Sequence, residues 1–276
     1  PDTPPAREMT HSKLAWLTDI HLDFLSDAQI AAFGAEVAAT GADGVILTGD
    51  ISVARALGGH LAKLVASWRM PCWFVAGNHD YYGASIAKMR EALTQLPSIE
   101  PRLRWLPASG GVKLDADHAL VGVDGWGDGQ LGNAQTTPIV FNDHVRIEEL
   151  KTETRAELVE VVQQIGRDEA ARLRALLGEA LAPHRHVYVA THIPPFREAT
   201  THQGHVCGDD FLPWMTCHAV GEVLREMAAS HPDRRITVLA GHTHDRCELQ
   251  IADNLAIRVG AAEYGKPAVE ALLELA

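Results

Sequence analysis

Short apolar runs rich in β-branched residues alternate with stretches whose apolar residues recur every three or four positions, and this alternation governs the first third of the chain. Residues 14–18 form one compact apolar run, 44–47 a second and 72–75 a third, each of strand length. After the first run, Ser26 or Asp27 can cap a helix that lines Ile30, Phe33 and Val37 along one face. After the second, Leu57, Leu61, Leu64, Val65 and Trp68 keep helical spacing. A β-α-β-α-β succession predicts parallel strands with helices packed outside them, and in such sheets ligands gather beyond the carboxyl ends of the strands.

Further along, a helix is expected over 85–93, followed by short strands at 103–106, 111–114 and 118–123 that read as a meander opening a second sheet. Residues 124–166 read as an insertion, first Gly-rich and polar, then charged and helix-prone over 148–164. A helix over 168–181 carries Leu173, Leu176, Leu177 and Leu181 on one stripe and is expected to pack on the core. A buried strand resumes at 186–190. Residues 193–216, rich in Pro, Thr, His and Gly and without periodicity, are expected to form a functional loop rimming the site. A helix at 219–229 and strands at 237–240, 255–259 and 269–275 close the pattern.

Composition narrows this picture to a globular α/β domain. A chain of 276 residues, 46% hydrophobic and 22% charged, is near the upper size of one hydrophobic core. One domain is therefore expected over 12–276. Residues 1–11, Pro-rich and polar and lacking the apolar stretch of a secretory signal, read as a disordered leader. The longest apolar runs are far shorter than the roughly 20 residues of a membrane span, so no membrane association is expected. Cys72, Cys207, Cys217 and Cys247 show no Cys-x-x-Cys spacing, which fits a reduced, cytoplasmic chain. A bridge between Cys207 and Cys217 stays open beside the simpler reading of two free thiols. A formal net charge of −12 argues against a nucleic-acid partner. An anionic substrate must then be drawn by something local, and bound cations would supply it.

Five clusters carry the chemistry: Asp19-Ile20-His21, Gly49-Asp50, Gly77-Asn78-His79-Asp80, Thr191-His192 and Gly241-His242-Thr243-His244. Each follows a predicted strand end, so their side chains converge. In extended backbone, residues two apart point the same way, which pairs Asp19 with His21 and His242 with His244. Gly241 leaves room for backbone close to an ion. Asp50 has two oxygens with which to bridge two cations, Asn78 offers an amide oxygen and His192 another imidazole. This donor set suits two divalent ions such as Mn, Fe or Zn without any thiolate. Two such ions, less the charges of Asp19, Asp50 and a bridging hydroxide, leave a local surplus of about plus one that attracts a phosphoryl group. Ions roughly 3.5–4 Å apart also lower the pKa of a shared water and brace the phosphoryl oxygens. His79 has no need to bind metal and can protonate the leaving alkoxide, with Asp80 either orienting it or fixing the turn.

The motif series Asp-x-His, Gly-Asp, Gly-Asn-His-Asp, a single His and Gly-His-x-His resembles that of the calcineurin-like metallophosphoesterases and runs from Asp19 to His244. The resemblance implies a four-layer αββα sandwich. It also implies one metal on Asp19, His21, Asp50 and His244, a second on Asp50, Asn78, His192 and His242, and action of His79 on the phosphoryl group. Val53 stands where purple acid phosphatases place a metal-binding Tyr, and Val53-Ala54-Arg55 stands where the Ser/Thr protein phosphatases have Asp-Arg-Gly. The chain thus looks like the smaller bacterial-type branch. The expected activity is hydrolysis of a small phosphomonoester or phosphodiester by a metal-bridging hydroxide. The alternatives are a cyclic-nucleotide phosphodiesterase and a metal-bearing protein-binding scaffold, the latter disfavoured by intact motifs. Lesser candidates for the site are Arg197, His202 and His205 on the long loop, Tyr81 and Tyr82 after the third cluster, and Trp126 and Asp128.

Overall fold

The computed structural model describes residues 11–275. The leader expected over 1–11 lies outside the described residues except for His11, which is buried edge-on against Trp73 and donates its backbone N–H to the Leu114 carbonyl.

The elements run β1 (Lys13–Leu17), α1 (Asp27–Ala39), β2 (Gly44–Thr48), α2 (Leu57–Leu64), β3 (Cys72–Val75), α3 (Ile86–Ile99), β4 (Leu103–Trp105), α4 (Leu106–Ser109), β5 (Val112–Lys113) and β6 (His118–Gly122). They continue with α5 (Asp143–Arg146), α6 (Arg155–Leu181), β7 (His186–Ala190), β8 (Thr201–His202), β9 (His205–Val206), α7 (Leu212–Met215), α8 (His218–Ser230), β10 (Arg235–Ala240), β11 (Cys247–Ala252), β12 (Leu255–Val259) and β13 (Ala271–Glu274). One sheet has the order β13-β1-β2-β3-β4, parallel except for β13; the other has the order β11-β12-β10-β7-β6-β5, parallel except for its two edge strands.

Side-chain alternation along the central strands builds the four layers. Leu14, Trp16, Ile46, Trp73 and Val75 of the first sheet meet Leu120, Tyr188 and Leu239 of the second in a core between the sheets. The residues between them point outward: Ala15, Leu17, Val45, Leu47 and Phe74 pack under α1, α2 and α3, while Val121, Val187, Val189 and Val238 pack under α6 and α8. These strands are apolar on both faces because both faces are covered. The expected αββα sandwich is what the chain forms.

Several local expectations are corrected. Residues 103–105 pair parallel with β3, Leu103 opposite Cys72, so β4 ends the first sheet and the second opens only at Val112. A three-residue run carries no sign of which strand it will bond. The two helical segments expected on either side of Gly166 are one helix of 27 residues, opened by a capping box between Thr154 and Glu157. Its first turns pack with the outer core of the first sheet and its later turns with that of the second. Gly166 sits where a Cβ would lie 2.6 Å from the Cβ of Asp128, so it permits a close approach and does not end the helix. Residues 247–252 form β11, a strand not anticipated. The long segment after His192 is not structureless, since it holds the β8–β9 hairpin and α7. All four cysteines are free thiols.

Candidate metal centre

The five clusters lie where β1, β2, β3, β7 and β10 end, and because these strands belong to both sheets the clusters meet at the seam between them. Backbone bonds fix the loops to one another: the Asp19 N–H donates to the Gly49 carbonyl at 3.0 Å, the His21 N–H to the Asp50 carbonyl at 3.0 Å, and the Gly241 N–H to the His192 carbonyl at 2.9 Å.

The backbone turns sharply at these positions. Asp19, His21, Asp50, His242 and His244 have φ of 47°, 38°, 48°, 72° and 55°, the left-handed region that non-glycine residues avoid. Such conformations cost about 1–3 kcal/mol each and persist only where surrounding contacts enforce them. The extended backbone expected to pair Asp19 with His21, and His242 with His244, is not what these residues adopt. They converge through left-handed turns and not through the alternation of an extended strand.

Two groups of donors result. Asp19, His21, Asp50 and His244 offer atoms that all lie within 4.8 Å of one another, and Asp50, His192 and His242 do the same, so Asp50 belongs to both. In the first group His21 Nε2 is 3.0 Å from His244 Nε2, and His244 Nε2 is 3.3 Å from Asp19 Oδ1. In the second, His192 Nε2 is 3.2 Å from Asp50 Oδ1 and 3.1 Å from Asn78 Oδ1, and His242 Nδ1 is 3.1 Å from the same amide oxygen. Donors about 2.0–2.2 Å from one ion at tetrahedral or right angles stand roughly 3.0–3.5 Å from each other. The chemistry of the donor set and its spacing both fit a pair of divalent cations. His21 Nδ1 and His242 Nε2 are buried with no hydrogen-bond partner among the described residues.

Other side chains hold the donors in place. The Asp19 carboxylate accepts from Thr18 Oγ1 at 2.5 Å and from the His242 N–H at 3.0 and 3.1 Å. A Cβ on Gly241 would lie 2.0 Å from Asp19 Oδ2, so the room this glycine leaves is taken by a carboxylate. His192 donates from Nδ1 to the Thr48 carbonyl at 2.9 Å, which presents Nε2 toward Asp50 and Asn78. Asn78 donates from Nδ2 to Asp143 Oδ1 at 2.8 Å and to the Tyr82 hydroxyl at 3.1 Å, and that hydroxyl donates to Asp143 at 2.7 Å. The amide oxygen is thereby turned toward the two imidazoles.

Charge pairing within the cluster is strong. Burial raises the Asp50 carboxyl, but the imidazoles of His192, His79 and His21 outweigh it and hold the group well below its ordinary value. Burial also opposes a charge on His192, yet Asp50 and Asp19 prevail and carry that ring to about 10. The His242 ring is pushed down to about 3 by burial and by its neighbour His192.

His79 lies beside this cluster, its Nε2 3.9 Å from Asp50 Oδ2 and its backbone N–H donating to Asp50 Oδ1 at 2.9 Å. Its ring is 4.4 Å from that of Tyr82 and lines an open groove. Asp80 does not orient it. The Asp80 carboxylate is fully buried and accepts from the backbone N–H groups of Ile51, Ser52 and Gly77 at 3.0, 2.8 and 2.8 Å, so it ties the Gly-Asp loop to its own turn. Burial and the charge of Asp50 raise its pKa well above the usual value, against the N–H groups of Gly77 and Ser52 and the charge of His192.

Tyr81 is fully buried and donates to Asp124 Oδ2 at 2.6 Å, so it packs beneath the site, whereas Tyr82 walls it. The Trp126 ring lies 5.0 Å from that of Tyr81 and tilted to it by 57°, and Asp128 accepts from the Ala219 N–H at 2.7 Å; neither joins the donor clusters. Arg197 pairs with Asp209, and His202 and His205 are exposed. Asp124, Asp143 and Tyr264 were not anticipated. Asp124 is buried and joins the Ala76 N–H, the Trp105 indole and Tyr81. The Tyr264 ring lies 4.4 Å from His21 and 5.0 Å from His244.

A family model described as calcineurin-like phosphoesterase matches residues 12–246. Among solved structures, the phosphopantetheinyl hydrolase of Mycobacterium tuberculosis is similar with a TM-score of 0.67 at 14% identity, over 97% of this chain and 96% of that one. A dimetal phosphatase from Danio rerio is similar with a TM-score of 0.58 at 11% identity, over 91% of this chain and 87% of that one. At these identities the likeness shows the fold. No curated protein matches the chain.

Proposed function

The chain belongs to the calcineurin-like phosphoesterase family, and on that premise we propose that it hydrolyses a small phosphomonoester or phosphodiester using two divalent cations, Mn, Fe or Zn. One cation would be held by Asp19, His21, Asp50 and His244, the other by Asp50, Asn78, His192 and His242. The observation that carries this reading is the membership of Asp50 in both donor groups. When bound, such a pair supplies an activated water and positive charge against the phosphoryl oxygens.

The protein's own side chains do the rest. The Thr48 carbonyl fixes the tautomer of His192, and Asp143 with Tyr82 fixes the rotamer of Asn78. His79, facing the groove, binds a phosphoryl oxygen and delivers a proton to the leaving oxygen. Asp80 positions the Asp50 loop. The four free thiols fit a reducing, cytoplasmic setting.

The test is turnover of p-nitrophenyl phosphate and bis-p-nitrophenyl phosphate by the Mn-loaded protein, with metal analysis of Asp50→Ala on the same preparation. Cleavage of at least one ester, with loss of metal from both sites in the variant, is expected. Cleavage of neither, with metal content unchanged in Asp50→Ala, overturns the reading.

A further inference from the structure

Beside His79 the centre opens into a groove of about 440 Å³ whose wall includes Asp23, Phe24, Arg55, His79, Tyr82 and Arg146. Two of these are arginines, and they stand in the same groove as His79. Several other arginines are engaged by carboxylates, as in Arg102 with Glu100, Arg197 with Asp209, Arg225 with Glu198 and Arg258 with Glu248. Arg55 and Arg146 have no carboxylate partner among the described residues. Arg146 instead lies over the Tyr82 ring with its Cζ 4.5 Å from the centroid, and Tyr82 in turn stands 4.4 Å from the His79 ring. The guanidinium is thus held on a flat support that leaves its N–H fork free.

A chain of net charge −12 repels anions at long range, so two guanidinium groups beside the centre supply local attraction for an anion that reaches it. Only Asp23 opposes them within the groove. Across the mouth, Phe24 is 55% exposed and Tyr264 48% exposed, with their rings 4.8 Å apart. They form an apolar wall on which an organic group can lie.

We infer that Arg55 and Arg146 form a second anion site, so that the preferred substrate is a phosphoester whose organic part carries another negatively charged group, a phosphate or a carboxylate. This rests on the hydrolase reading for the position of the scissile phosphate at the centre. A guanidinium fork recognises the planar oxygen pairs of either group. The two arginines make no bond to the reacting atoms; they select the substrate.

Isothermal titration calorimetry of the Mn-loaded full chain tests it with butylphosphonate, butylene bisphosphonate and phosphonopentanoate, alongside turnover of p-nitrophenyl phosphate. The native protein should bind one or both probes that carry a second anionic group roughly tenfold or more tighter than butylphosphonate, as charge-assisted bonds require. The variant Arg55→Gln/Arg146→Gln should bring that ratio close to unity, and Arg55→Lys/Arg146→Lys should keep part of it, which a packing role for the arginines would not produce. The tighter of these two probes identifies the second group. A ratio near one in the native protein, or a ratio retained in the Gln variant, overturns the site. Turnover of p-nitrophenyl phosphate with a flat ratio removes the second anion site alone. An arginine-dependent ratio without turnover removes the hydrolase reading alone.

Discussion

At the scale of single residues, the donors are held in place by side chains that lie outside the two donor groups. Asp143 is the clearest case, because it accepts from both Asn78 and Tyr82 and so decides which end of the Asn78 amide faces the imidazoles. Asp143→Ala should weaken the cation held by Asn78, His192 and His242 by about 10–100-fold and leave the other nearly unchanged, as read by metal titration. His79→Gln should lower kcat by about 10²–10⁴-fold at unchanged metal content, with the larger loss on esters of poor leaving groups. The donor residues themselves were legible in the sequence, because five clusters in a fixed order each follow an apolar run. Their supports were not. Asp143 and Tyr264 sit in segments without pattern and reach the site only through the fold, and nothing around Asp80 shows that its carboxylate turns back to the N–H groups of Ile51 and Ser52.

At the scale of elements, α6 joins the two outer cores, and Gly166 within it lies against Asp128. Helix propensity alone predicts that Gly166→Ala gains about 1 kcal/mol. The 2.6 Å approach to the Asp128 Cβ instead predicts a net loss of about 1–3 kcal/mol from overpacking, measurable by urea denaturation. The strands and helices of the N-terminal half could be read from periodicity because each buries a complete face. β4, with three residues, was assigned to the wrong sheet, since pairing partners leave no mark on so short a run. β11 was missed although Cys247, Leu249 and Ile251 alternate with more exposed neighbours, the pattern of an edge strand with one face covered.

At the scale of the whole molecule, the strand ends of two sheets must meet for the donors to meet, so conditions that loosen the packing also disperse the site. Two half-buried imidazoles give this a pH dependence. Burial, helped by Arg155, holds His144 at about 4, and burial, helped by His118 and Arg235, holds His186 at about 4, against an ordinary value of 6.5. Between those values the unfolded chain binds protons that the folded chain refuses, so stability falls as pH drops through the window and is untouched by these groups above about 6.5. The thermal midpoint should decline on acidification, and His144→Gln/His186→Gln should flatten the decline.

On the proposed function, side chains from five separate loops hold two cations through one shared carboxylate. Anomalous diffraction from crystals soaked in Mn measures this directly. Two peaks roughly 3.5–4 Å apart, both within bonding reach of Asp50 and otherwise divided between Asp19, His21 and His244 on one side and Asn78, His192 and His242 on the other, are predicted. A single peak, or density away from Asp50, would contradict it.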